Sequence, residues 1–225
     1  MMLLFAGGAI AALCVGAYFL MNARGVQLAG RIVTRAKTDK MRIALTLDDG
    51  PTGDTGEILA MLDELGVKCT FFLTGGAIAR NMDAAKAVAA AGHQIGNHSY
   101  SHGRMIFKSM QWIENEIDST GALIREAGYA GEIYFRPPYG KKLLLLPLAL
   151  KKRGITAVTW SVEVSGNDSP DKVAEAVTRQ ARPGAIILLH IMYNKNEREA
   201  VPGIVRSLQG SGYEFVTVEE LLASS

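Results

Sequence analysis

Ile43-Ala44-Leu45-Thr46-Leu47-Asp48-Asp49-Gly50-Pro51 is an apolar run that ends in two adjacent carboxylates and a Gly-Pro pair. A short apolar run bounded by turn residues reads as a buried strand, and Gly-Pro stops it. Two neighbouring carboxylates repel each other and stabilise nothing by themselves. They make sense if one binds a cation and the other handles a proton. Matching parts lie further on: His98-Ser99-Tyr100-Ser101-His102, Arg136-Pro137-Pro138-Tyr139-Gly140, and His190 after Ile186-Ile187-Leu188-Leu189. Three of the 4 histidines in the chain fall in these segments.

From Met41 onward, strand-like and helix-like patterns alternate. Apolar, β-branched or aromatic runs predict strands over 42–47, 67–74, 93–97, 132–136, 155–163, 185–191 and 214–218. Helical patterns cover 56–65, 82–91, 109–127, 143–153, 171–181 and 199–209. Gly66, Gly92, Gly128, Gly154 and Gly210 stand where helices are expected to stop. Pro147 is expected in a first turn or at a kink. Strands alternating with helices argue for an α/β fold with a parallel sheet. The polar candidates sit at the carboxyl ends of five predicted strands. In a barrel those ends converge on one mouth, whereas an open sheet spreads them along an edge. A barrel of about seven parallel strands is therefore the expected architecture.

At 225 residues the chain fits one domain plus an appendage, and a hydrophobic content of 48% is ample for a core. A net charge of +2, with no basic run interleaved with aromatics, argues against nucleic acid as a partner. No protein partner is inferable. Cys14 and Cys69 read as two unpaired small hydrophobes. Residues 1–23 carry no charged side chain. As a helix they extend roughly 34 Å, enough to cross a bilayer core of about 30 Å. An uncleaved transmembrane anchor is preferred to a signal peptide, which wants a basic start. Residues 24–40 read as a basic juxtamembrane linker, and 41–225 as the catalytic domain. Arg24, Arg31, Arg35, Lys37 and Lys40 follow the span, which favours a cytoplasmic domain by charge. The substrate class pulls the other way, and an extracytoplasmic domain on a membrane anchor is the expected location.

His98 and His102, four apart, can approach one cation from one side, and Asp49 is the natural third ligand. Two imidazoles and one carboxylate leave open positions for water and substrate. Zinc is the default ion, with cobalt or another divalent ion as alternatives. The same set also suits ferrous iron, so the triad does not decide the reaction. Asp48 does, because a carboxylate beside the metal can take a proton from water. Arg136, on a stiff loop, can pair with Asp48 and orient it. A backbone N–H at Tyr139-Gly140 can donate to an oxyanion; the alternative for Tyr139 is packing. His190, at a strand end, is placed to protonate a departing amine. His93, at the start of a strand, reads as structural.

These segments resemble the NodB-type polysaccharide deacetylases, carbohydrate esterase family 4, over roughly residues 41–222. Thr46-Leu47-Asp48-Asp49-Gly50-Pro51 is similar to the family's T-F-D-D-G-P, with Leu47 in place of Phe. His98 to His102 matches H-S/T-x-x-H, Arg136 to Gly140 matches R-x-P-Y/F-G, and Ile187 to His190 is similar to L-x-x-H. The resemblance implies a distorted (β/α) barrel and metal-dependent removal of acetyl groups from N-acetylated sugars. By position it makes Asp48 the base and His190 the acid. It makes Asp49, His98 and His102 the metal ligands, and Arg136 the residue that orients Asp48. The fourth motif, D-x-x-D-W, departs: Glu163 replaces the first Asp, Gly166 and Asn167 stand at the second Asp and the Trp, and Asp168 lies one residue further on. Ile191 follows His190 where the family often has Asp. The expected substrate is N-acetylglucosamine in peptidoglycan or chitin-like oligomers. The alternatives are a lipid-linked aminosugar at the membrane face and a catalytically silent, membrane-tethered glycan-binding module.

Overall fold

The computed structural model describes residues 14–164 and 167–223. At its centre is β2 (Arg42–Asp48), buried from Ile43 to Asp48. Burial on both faces is what a parallel strand covered by helices requires. β2 pairs in parallel with β3 (Thr70–Leu73) and with β6 (Ile186–Leu189), and β3 pairs with β4 (Gln94–Asn97). The ring continues through single parallel bridges, Asn97 to Phe135 and Phe135 to Ala157 of β5 (Ala157–Val158). A bridge from Val162 to Ile187 returns to β6 and closes it. The result is a distorted (β/α) barrel, as expected from the converging strand ends and the family resemblance. β1 (Ile32–Val33) pairs with β5, and β7 (Glu214–Phe215) with the start of β2.

The strands expected over 132–136 and 155–163 are much reduced. The first keeps only the bridges of Phe135. The second breaks after Val158, where the carbonyls of Val158 and Thr159 turn to accept from Arg136 at 3.3 and 3.0 Å. A side chain has taken the place of a strand neighbour.

Helices α1 (Thr55–Glu64), α3 (Met82–Ala90), α4 (Met110–Glu126), α5 (Leu145–Lys152) and α6 (Pro170–Gln180) lie close to their expected places. Pro147 falls in the first turn of α5. α7 (Lys195–Gly210) begins four residues before the expected 199, because the Asn194 side chain caps the Glu197 N–H at 3.1 Å. Two helices were not expected. α2 (Gly75–Arg80) opens on two glycines, which are poor helix formers. Tertiary packing overrides propensity there: a Cβ on Gly75 would stand 2.5 Å from both Tyr100 and Thr120. α8 (Val218–Ala223) is announced by a capping box, Thr217 and Glu220, each side chain accepting the other's N–H at 3.2 and 2.8 Å.

Of the expected 1–23 anchor, residues 1–13 lie outside the described residues. Residues 14–22 are helical and expose Val15, Tyr18 and Phe19. Among the described residues no helix is long and apolar enough to cross a membrane. The barrel also takes in part of the stretch read as a linker, since β1 belongs to it. Cys14 is exposed and Cys69 buried, and both are free.

His93 is structural, as read. It is buried, and its Nδ1 accepts the Cys69 N–H at 3.1 Å. Burial pushes its imidazole down to about 4. An unfolded histidine titrates near 6.5, so the unfolded chain takes this proton first. Stability is then lost as pH falls from about 6.5 to about 4, by on the order of 3 kcal/mol. His93→Asn keeps an acceptor for Cys69 and removes the titration. Urea unfolding of that variant over the same range should show a flatter acid decline than the native chain.

Candidate active site at the barrel mouth

Strand register delivers the polar residues to one place. Asp48 ends β2, and His98, Arg136 and His190 directly follow Asn97, Phe135 and Leu189. A cavity of about 390 Å³ opens there, lined by Asp48, Asp49, His98, His102, Tyr139 and His190, with Trp160 and Glu163 on its wall. Every expected site residue lines it except Arg136, which is buried beneath.

Arg136 is 0% exposed. Its Nη1 donates to Asp48 Oδ1 at 2.5 Å and to Thr46 Oγ1 at 2.7 Å, and the rest of the fork takes the carbonyls of Val158 and Thr159. Its guanidinium lies 4.0 Å from the centre of the Phe72 ring. Phe72 can sit there because its neighbour in β4 is Gly96; a Cβ on Gly96 would be 2.5 Å from the ring. Burial pushes the Asp48 carboxyl up, against the opposing pull of Arg136 and His190. A raised carboxyl is a better proton acceptor, and the fixed cation holds one of its oxygens in place.

The second Asp48 oxygen, Oδ2, lies 3.6 Å from His98 Nε2. Asp49 Oδ1 lies 3.8 Å from His98 Nε2 and 3.3 Å from His102 Nε2. One ligand atom from each of Asp49, His98 and His102 falls within 4.8 Å of the others. His98 Nδ1 donates to the Arg136 carbonyl at 2.7 Å, which leaves the Nε2 lone pair facing the cavity. Burial pushes His98 down to about 3, so the ring stays neutral as a ligand must be. The donor set and its tautomer fit a divalent cation.

The backbone is strained where the chemistry is. Asp49, His102 and Tyr139 have φ of 67, 56 and 58°, in the left-handed region that side chains rarely adopt. The surrounding hydrogen bonds hold them. Asn97 Oδ1 accepts the Ser99 N–H, Ser99 Oγ accepts the His102 N–H, and Glu116 of α4 accepts the N–H groups of Tyr100 and Ser101 at 2.9 and 2.8 Å. Around Tyr139, the N–H groups of Gly140 and Lys141 are used by the turn. Among the described residues the Tyr139 N–H has no backbone acceptor. The Tyr139 ring lies 4.8 Å from that of His102.

Several residues at the site were not read from the sequence. Glu116 holds the histidine loop from a helix, and Glu197 of α7 lies 4.0 Å from His190 Nδ1. Arg24 reaches across the chain to pair with Glu163 at 2.5 Å and lies 5.1 Å over the Trp160 ring. The residues before it also dock here. Lys141 donates to the Asn22 side chain, Lys142 to the Ala23 carbonyl, and Thr159 to the Arg24 carbonyl at 3.0 Å. Asp168 is exposed, and Gly166 lies outside the described residues. The capping box around Asn194 was a local signal for Glu197; the Arg24 contact had none.

A sequence model of the polysaccharide deacetylase family matches residues 35–158. Peptidoglycan-N-acetylglucosamine deacetylase PgdA of Listeria monocytogenes is 35% identical over 195 residues, 84% of this chain. The chain spans 40% of that relative's length. A crystal structure of the Bc1960 peptidoglycan N-acetylglucosamine deacetylase superposes with a TM-score of 0.80 at 30% identity, covering 86% of this chain and 94% of the other. A family 4 pseudoenzyme from Bacillus anthracis superposes with a TM-score of 0.78 at 27% identity, covering 88% and 70%.

The buried pair makes a stability prediction. Arg136→Met leaves the Asp48 carboxylate buried without its cation and should cost about 3–5 kcal/mol. Adding Asp48→Asn removes the stranded charge and should recover part of the loss. Urea denaturation of the two singles and the double measures both. A loss below about 1 kcal/mol in Arg136→Met would show that the guanidinium does not hold the site.

Proposed function

This chain belongs to the polysaccharide deacetylase family, and on that premise we propose that it hydrolyses the N-acetyl amide of N-acetylglucosamine in peptidoglycan, releasing acetate. One observation carries the reading. A carboxylate clamped by Arg136 lies 3.6 Å from one of three convergent ligand atoms, in a cavity that His190 also lines.

Asp49, His98 and His102 would hold the cation, and zinc is proposed because this donor set with open positions is one it adopts in hydrolytic sites. Bound there, the ion would supply Lewis acidity to the scissile carbonyl and the attacking water. Asp48 takes the proton as that water adds to the carbonyl carbon. The Tyr139 N–H donates to the developing oxyanion. As the C–N bond breaks, its electron pair goes to nitrogen and His190 delivers a proton there. The products are acetate and a free aminosugar. Arg136 touches none of the reacting atoms; it keeps Asp48 ionised and aimed.

A second reading keeps the chemistry and changes the carrier. The pairing of Arg24 with Glu163 on the cavity wall favours it, with Asn22 and Ala23 bonded to Lys141 and Lys142, because it ties the end of the 14–22 helix to the mouth. If residues 1–23 anchor the chain, the cavity stands at the membrane face, and a lipid-linked aminosugar is within reach. An extracytoplasmic domain suits either substrate.

The test is acetate release by the full chain in detergent, loaded with zinc, from N-acetylglucosamine oligomers and from a lipid-linked N-acetylglucosamine. Release should vanish with a chelator and return with zinc. A preference for the oligomers supports the first reading, and a preference for the lipid-linked sugar the second. Glycan binding without acetate from either, with zinc bound, would overturn both in favour of a silent binding module.

A further inference from the structure

Glu197 is a buried carboxylate that no step above uses. It is 3% exposed, in the first turn of α7. Its Oε2 accepts the backbone N–H of His190 and lies 4.0 Å from that residue's Nδ1. Its Oε1 accepts from the Asn194 amide at 3.4 Å. These bonds close the loop from β6 to α7, so capping is one reason for a polar residue here. Accepting the His190 N–H needs only one oxygen, which a neutral amide also has. The charge suits the helix N-terminus as well, but that role does not require it to face an imidazole.

The other carboxylates around His190 point to a further use of the charge. Asp48 from β2 is tied to Arg136, and Glu163 from the segment after β5 is tied to Arg24, each at 2.5 Å. Among the described residues the only ion-pair partner recorded for Glu197 is His190. Burial pushes the Glu197 carboxyl up; the His190 N–H and ring pull it back, while Glu163 and Asp48 add to the rise. The imidazole is half-exposed, and a small rotation of the ring would close 4.0 Å to a hydrogen bond.

We propose that Glu197 is the positioning residue of the acid: its carboxylate takes the Nδ1–H of His190, which leaves the Nε2 proton as the one delivered to the departing amine. Its negative charge favours the imidazolium until the C–N bond breaks. The ring then stays neutral, with its remaining proton on Nδ1 toward Glu197. The inference rests on the deacetylase reading for its chemistry, but the contact itself can be tested without turnover.

Glu197→Gln separates charge from capping, since the amide oxygen still accepts from the His190 N–H. In the zinc-loaded full chain, the basic limb of the kcat/KM profile should move to lower pH by about one unit. Glu197→Asp, which restores the charge, should bring the limb most of the way back. If Glu197 serves only as a cap, Gln leaves the limb where it was, and the proposal is wrong. Should the Gln variant not fold, ¹⁵N spectra of the histidines in the native zinc-loaded chain decide. The His190 signal, assigned by its loss in His190→Gln, should show the neutral ring protonated at Nδ1. A neutral ring protonated at Nε2 overturns the proposal, whether or not the chain releases acetate.

Discussion

A guanidinium with no exposure to water is the constraint around which this barrel is organised. Burying a charge costs several kcal/mol unless its donors and its charge are both answered. Arg136 is answered from every side: Asp48 and Thr46 from β2, two carbonyls from the broken end of β5, and the face of Phe72 from β3. Its own carbonyl takes the Nδ1 proton of His98. One residue thus sets the direction of the Asp48 carboxylate and the tautomer of the His98 imidazole. The distortion of the barrel follows from the same demand, since β5 gives up strand pairing where its carbonyls serve the arginine.

The second constraint is strain held in place by neighbours. Asp49, His102 and Tyr139 are all in left-handed backbone, each costing of order 1–3 kcal/mol. Such residues persist only where the surroundings over-determine them. Asn97, Ser99 and Glu116 do this for the histidine loop. That loop carries two of the three candidate ligands, and the atoms of Asp49, His98 and His102 lie within 4.8 Å of one another. Preorganisation of this kind keeps reorganisation out of the reaction step.

Much of this was legible in the chain. The run into Asp48-Asp49, the pair His98 and His102, and the strand ends before Arg136 and His190 announced both the barrel and the site. Local patterns sufficed because parallel strands deliver consecutive residues to one rim. What was hidden depends on distant partners. Nothing near Glu163 shows that Arg24 will pair with it, and nothing near Gly75 shows that Tyr100 and Thr120 will press a helix onto two glycines. The early end of β5 was hidden for the same reason, since the Arg136 side chain took the carbonyls of Val158 and Thr159. Glu197 and α8 are different: capping patterns around Asn194 and Thr217 were there to be read.

The central claim is that Asp48 is the base and not a ligand, and one variant separates the two. Asp48→Asn keeps an oxygen for Arg136 and removes the proton acceptor. Zinc content and acetate release should be measured together on the same full-chain sample. The account predicts native zinc content with release lowered by about 10²–10⁴-fold, the range for a lost general base. Native release, or zinc lost in step with activity, would contradict it.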